Sequence, residues 1–271
     1  MKTSISILGA GWLGLPLGGF LSDRGFSVTG STTRKEKFAV LTKTGIHPFL
    51  LEVSESGISG EHIEAFFESE MLLLCIPPGR RRPQVADHYP EQIRLVAKKA
   101  REAGVRHLIY ISSTGVYGDS EGVVTETSPT DPDRSSARAV WEAEKVLRSF
   151  EFSLTVLRMA GLVGGDRKAG RFLAGKKDVK GGGTPVNLVH REDCIQVIWE
   201  VIRQEAWGET YNVCADKHPS RRQFYTWRAE KEGFEPPEFA DDEGESGKIV
   251  SNRKLKEDLN YHFLHPDPMQ F

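Results

Sequence analysis

Three glycines near the start of the chain, Gly9-x-Gly11-x-x-Gly14, constrain it more than any other feature. The apolar residues Ile5, Ile7 and Leu8 before them read as a buried strand. Leu15, Leu17, Phe20 and Leu21 after them read as the apolar stripe of a helix. Each glycine meets a different steric demand. Gly9 allows a tight turn, Gly11 leaves no side chain where a pyrophosphate would approach, and Gly14 lets the helix lie close to the strand. With Trp12 and Leu13 between them, they open a helix whose unpaired N–H groups face an anion. The expected ligand is a dinucleotide.

The rest of the chain has the rhythm such a motif requires. Apolar strands are expected at 5–8, 26–30, 48–53, 71–76, 107–111 and 153–157. Helices are expected at 12–24, 35–43, 62–68, 89–103 and 135–150. Nearly continuous apolar strands alternating with helices predict an α/β chain with a Rossmann-type, doubly wound parallel sheet covered on both faces. After Gly161 the pattern loosens between glycine pairs and triplets. A strand at 186–189, a helix at 193–203 and a strand at 210–213 restore it. The expected division is a dinucleotide-binding domain over 1–160, to which 187–214 return. Residues 161–186 and 215–271 then form a small C-terminal substrate lobe over the sheet's C-terminal edge, where ligands of open α/β sheets bind.

Composition excludes several alternatives. With 36 Lys and Arg against 38 Asp and Glu, the net charge of −2 gives no bulk attraction for nucleic acid. No stretch reaches the ~18 apolar residues of a membrane span. The apolar stretch behind Lys2 resembles a signal peptide, but its glycine spacing fits the dinucleotide motif better. Cys75, Cys194 and Cys214 form no CxxC pair and read as reduced core residues of a cytoplasmic protein.

The second strand bears on which dinucleotide is bound. An NAD site of this kind carries an acid about 20 residues past the glycines. Here Ser31-Thr32-Thr33-Arg34-Lys35 follows Gly30, and no Asp or Glu stands between Asp23 and Glu36. Ser31, Thr32 and Arg34 form a cradle suited to a 2′-phosphate, which favours NADP, with NAD the alternative. The competing reading is an exposed turn in which Thr32 or Thr33 caps a helix.

Ile111-Ser112-Ser113-Thr114-Gly115-Val116-Tyr117-Gly118 resembles the SSxxVYG segment of the extended short-chain dehydrogenases/reductases, the nucleotide-sugar epimerase and dehydratase group. Arg158-Met159-Ala160-Gly161-Leu162-Val163-Gly164 is similar to the group's RPxxVYG. Asn187 to Asp193 is similar to its HVDD segment, and Tyr211-Asn212-Val213 to its YNV strand. The tail from Lys254 to Asp267 resembles its closing segment. The resemblance spans the chain and is strongest to the atypical, YeeZ-like branch of the NAD-dependent epimerase/dehydratase family. It implies a small-molecule substrate, sugar-like or another hydroxy/keto compound. It also implies homodimer contacts through the helices at 89–103 and 135–150, for which Val140, Trp141 and Leu147 are candidates.

Two departures stand out. Ile7-Leu8 replaces the first two positions of the group's TGxxGxxG, which remains compatible with cofactor binding. The group's Tyr and Lys four residues apart, its acid/base pair, is absent: none of the six tyrosines has a Lys at that spacing. Alignment puts Ser136 at the tyrosine's place and Val140 at the lysine's. Thr114 and Gly115 stand where the dehydratases carry an Asp-Glu pair, so sugar 4,6-dehydration is disfavoured.

Ser113 is the expected carbonyl-polarising hydroxyl, and Tyr117 the alternative proton donor to its ordinary role as a packing residue. Ser112, Ile76 and Pro77 are expected along the cofactor, Glu52 near its adenine, and Trp12 beside it. Arg80, Arg81 and Arg82 would meet an anionic group or lie in a solvated loop. His190 and Asp193 read better as structural than as chemical. No metal site is expected. Two other readings compete: a cofactor-binding sensor without turnover, and a hydroxyacid dehydrogenase. The Gly/Pro-broken C-terminal region argues against the latter's all-helical domain.

Overall fold

The structure, a computed structural model, describes residues 3–79, 84–241 and 246–271. Arg80, Arg81 and Arg82, and residues 242–245 of the acidic stretch, lie outside the described residues. The first half runs β1 (Ser4–Leu8), α1 (Gly14–Ser22), β2 (Ser27–Thr32), α2 (Phe38–Lys43), β3 (Ile46–Ser54), β4 (Gly57–Gly60), α3 (Ile63–Phe67), β5 (Met71–Leu74) and α4 (Val85–Glu102). The chain continues through β6 (His107–Ser113), β7 (Gly122–Val124), α5 (Ser135–Arg148), β8 (Ser153–Met159), β9 (Gly161–Val163), β10 (Leu188–His190) and α6 (Arg191–Arg203). It closes with β11 (Thr210–Val213), α7 (Arg221–Lys231), β12 (Lys248–Val250) and α8 (Arg253–Leu259).

Eight strands form the central sheet in the order β11-β8-β6-β5-β1-β2-β3-β4. All neighbours are parallel except β3 and β4. All four residues of β5 are buried, as a strand covered on both faces requires. α1 packs beside α6, and α4 packs against α5, as helices covering the two faces of such a sheet would. The strand order reverses at β1, which lies between β2 and β5. Connections leaving this point diverge and open a crevice at the strands' C-terminal ends.

Several details differ from the sequence expectation. β2 extends to Thr32, so Ser31 and Thr32 belong to the strand rather than the loop. β5 stops at Leu74, ahead of Pro77 and Pro78, which have no N–H for a ladder. β10 does not rejoin the central sheet. It pairs with β9 in a two-stranded parallel sheet, while β11 returns. β12 pairs in parallel with β7, tying the C-terminal region to the first half of the chain.

Val163, Ala169, Val186, Leu188 and Phe224 form a second small core, with Tyr225, Trp227, Met269 and Phe271 packed on it. Asp193, 0 % exposed in the first turn of α6, anchors the C-terminal segment. Its carboxylate accepts from the Tyr261 hydroxyl at 2.7 Å and from the N–H groups of Leu264 and His265 at 2.7 and 3.0 Å. Val140 and Leu147 are core residues and thus unavailable for a subunit contact; Trp141 is half-buried. Among the described residues, no helix is long and apolar enough to cross a membrane.

Candidate functional site

The glycine turn is built by close approach. Gly9 has φ +99°, and a Cβ there would meet Ile76 Cγ2 at 2.9 Å. A Cβ on Gly14 would stand 2.4 Å from the Gly9 carbonyl oxygen. Above Gly11 a Cβ would meet nothing within 4 Å, which leaves the approach that a phosphate needs. Ser31 fixes the turn to β2: its hydroxyl accepts from the Gly9 N–H at 2.9 Å, and its carbonyl from the Ala10 N–H at 2.8 Å. α1 then starts with no side-chain cap and no acid in its first turn. The N–H groups of Trp12 and Leu13 have no acceptor among the described residues. An uncapped, positive helix end beneath open space fits a pyrophosphate.

A cleft of about 360 Å³ extends from this turn along the switch point. Gly9, Gly11, Ser31, Thr32, Arg34, Glu52, Ile76 and Pro77 all line it. The structure therefore gathers eight of the twelve expected cofactor residues around one space. The Thr32 hydroxyl accepts from the Arg34 N–H at 3.2 Å, shaping a turn rather than capping a helix. The Arg34 side chain is exposed. Lys37, Glu55, His88 and Gln92 also line the cleft and were missed. Lys37, three residues past Arg34, could have been found from its spacing. The others come from distant segments with no local signal. Tyr89 also lines the cleft, but its hydroxyl donates to the Ile76 carbonyl at 2.9 Å, fixing the β5 exit.

The remaining expected residues lie elsewhere. Leu13 and Gly14 are buried under the turn. Ser112 is 5 % exposed, and its hydroxyl donates to Glu144 Oε1 at 2.5 Å, so its side chain is withdrawn from a ligand. Tyr117 is 1 % exposed. Its hydroxyl donates to Asn212 Oδ1 at 2.7 Å and accepts from an Arg158 guanidinium N–H at 2.9 Å. Burial pushes the phenol up, opposed by Arg158 and Asn212. Tyr117 belongs to a buried polar cluster in which Arg158 also meets both carboxylate oxygens of Glu144.

Ser113 keeps more freedom. It is half-buried at the end of β6, and its hydroxyl accepts from the Gly115 N–H at 3.1 Å, leaving its own hydrogen to donate. Ser136 is half-buried on α5, one turn from buried Val140.

Trp12 packs away from the 360 Å³ cleft. Arg167 and Arg191 hold their guanidinium carbons 4.0 and 5.1 Å from its ring centre, and its buried Nε1–H has no acceptor among the described residues. His190 is half-buried and held below its usual value by burial first, then by His265. Its ring lies 3.9 Å from that of His265, whose Nε2 meets Glu192 Oε2 at 2.8 Å. These three side chains offer ligand atoms within 4.8 Å of one another, a group suited to a cation that the sequence reading did not foresee.

A family profile described as NAD(P)H-binding matches residues 9–205. YeeZ of Escherichia coli K12 is 36 % identical over 269 residues, covering 98 % of this chain and 97 % of YeeZ. UDP-glucose 4-epimerase of Thermotoga maritima with UDP-glucose superposes with a TM-score of 0.76 at 18 % identity, over 97 % of this chain and 94 % of that one. UDP-glucuronic acid 4-epimerase of Bacillus cereus in complex with NAD gives 0.78 at 14 % identity, over 96 % and 91 %. At these identities the two epimerases speak to the fold alone, whereas the profile and YeeZ speak to descent. The chain belongs to the NAD(P)H-binding family, as a full-length homologue of YeeZ built on the fold of the nucleotide-sugar epimerases.

Proposed function

We propose that the chain binds NADP(H) along the cleft and carries out oxidoreductase or epimerase-type chemistry on a sugar-like or other hydroxy/keto small molecule. The observation that carries this reading is the end of β2. There Ser31, Thr32 and Arg34 share the cleft with Lys37, and no acid occupies the place where an NAD site has one. Hydroxyls beside a guanidinium and an ammonium suit a 2′-phosphate. Glu52, across the cleft, would contact the adenine.

The bound nicotinamide supplies hydride exchange with a carbon held beside it. Ser113 would polarise the substrate oxygen with its free hydrogen, while the Gly115 N–H holds its lone pair. The proton comes from water or from the substrate, since Tyr117 is engaged inside the protein. A nucleotide sugar, the ligand of the Thermotoga epimerase, is the leading substrate class. The free, buried Cys194 and Cys214 suit the reducing cytoplasm. Calorimetry tests the cofactor: NADPH is expected to bind more tightly than NADH, and Arg34→Ala to erase the difference. Equal binding of both by the unaltered protein would refute the NADP assignment.

A second reading, a cofactor-binding protein without turnover, draws on the sealed hydroxyls of Tyr117 and Ser112. NADPH oxidation over a carbonyl panel separates the two. Turnover that is lost in Ser113→Ala, with NADPH affinity kept, excludes the sensor.

A further inference from the structure

Gln92 lies on α4, one turn beyond Tyr89, and lines the cleft while only 8 % exposed. The other buried polar side chains of the cleft, Tyr89 and Ser31, are both bonded. The Tyr89 hydroxyl donates to the Ile76 carbonyl at 2.9 Å, and the Ser31 hydroxyl accepts from the Gly9 N–H at 2.9 Å. The Gln92 amide makes no hydrogen bond among the described residues. Burying an amide without a partner costs stability, so such groups are rare unless a ligand or water completes them. Its backbone is well fixed: the Tyr110 hydroxyl donates to the Tyr89 hydroxyl at 3.2 Å, behind the bond to Ile76.

The neighbours of Gln92 place it near β3, the strand that carries Glu52. α4 packs against β3 and β4. His88, one turn before Gln92 on the same helix face, brings its Nδ1 to 4.0 Å from Glu55 Oε1, just past the end of β3. The apolar part of the cleft lining includes Val53, Ile76, Pro77 and Pro78, surfaces suited to the faces of a flat base. We infer that Gln92 recognises the cofactor's adenine, its amide oxygen accepting an amino hydrogen and its NH2 group donating to the neighbouring ring nitrogen. An amide presents an acceptor and a donor side by side, which is the pattern that pairs with the edge of adenine. This rests on the NADP(H) reading and deepens it: Arg34 and Lys37 select the 2′-phosphate, and Gln92 selects the base. Glu52 cannot do this alone, because an ionised carboxylate accepts and has nothing to donate.

The test titrates the unaltered protein and Gln92→Met with NADP+ and with 1,N6-etheno-NADP+, whose bridge removes both amino hydrogens and occupies N1. Methionine keeps the length and helix preference of glutamine and removes its polar atoms. The unaltered protein is expected to bind NADP+ at least about 10-fold more tightly than the analogue, a comparison that needs no variant. Gln92→Met should weaken NADP+ about 10-fold and the analogue less than about twofold, since in the analogue the partner is already missing. The unliganded melting temperature should hold or rise, because the variant removes a buried amide that has nothing to bond. A lower melting temperature with both ligands weakened equally would make Gln92 a structural residue and overturn the inference. Equal binding of the two ligands by the unaltered protein also overturns it, as does unchanged NADP+ affinity in Gln92→Met; either result leaves the NADP(H) reading standing. An unaltered protein that binds neither NADP+ nor NADPH refutes both proposals together.

Discussion

Glu144 and Arg158 compensate each other's charge in the interior, with Arg148 3.7 Å from Glu144 as a second, more exposed cation. Their side chains are 0 % and 4 % exposed and meet at 2.8 Å, with Ser112 and Tyr117 filling the remaining hydrogen-bond positions. Removing one partner strands the other charge away from water. Glu144→Ala should therefore cost about 3–5 kcal/mol, read as a lower urea midpoint. A loss under 1 kcal/mol would mean that water reaches Arg158. This cluster also shows what the sequence could not disclose. Tyr117 carries a chemically able hydroxyl, and nothing around it in sequence says that the hydroxyl is spent. The partner that settles its role, Asn212, lies 95 residues away. Ser112 and Ser113 are adjacent and chemically identical, yet alternation along β6 buries one against Glu144 and leaves the other half-exposed.

At the level of elements, α1 and the turn before it were the most legible part, because steric rules for glycine act locally. Gly14→Ala sets a Cβ 2.4 Å from the Gly9 carbonyl, backbone against which no rotamer can yield, so α1 must move off β1. We expect a stability loss of about 1–3 kcal/mol together with loss of NADPH binding, checked by urea unfolding and calorimetry. Retained binding would show that the turn tolerates a shifted helix. The long strands were legible for a related reason: burial on both faces leaves an unbroken apolar run. β4, β7, β10 and β12 have only three or four residues each. Such strands are too short to show a period, and their partners are set by distant segments. That is why β10 was expected in the main sheet and instead pairs with β9.

Across the whole molecule, three histidines from different regions titrate in the same sense. His107, His190 and His218 are all held below their ordinary value of 6.5, with burial the largest cause in each. Folding disfavours their charged forms, so the unfolded chain binds more protons as pH falls through 6.5. Stability should be greatest above that pH and decline as pH drops from about 6.5 toward the lower native values. Urea midpoints at about pH 7.5, 6.5 and 5.5 check this, and a flat profile contradicts it. The broad division of labour was readable from the order of strands and helices. The cleft's opposite wall was not, because Glu55, His88 and Gln92 reach it only once the sheet has formed.

The Asp193 anchor has a consequence for how the molecule is made. Its carboxylate is sealed from water by donors that lie 68 to 72 residues further along the chain. While a ribosome is still adding that length, α6 cannot settle onto the sheet without burying a charge that has nothing to bond. The cofactor cradle is translated first, but the face that α6 covers is finished last. Native structure therefore arrives late in synthesis. A nascent chain halted before residue 261 keeps that face open to chaperones and proteases, even though every glycine of the cradle is already in place.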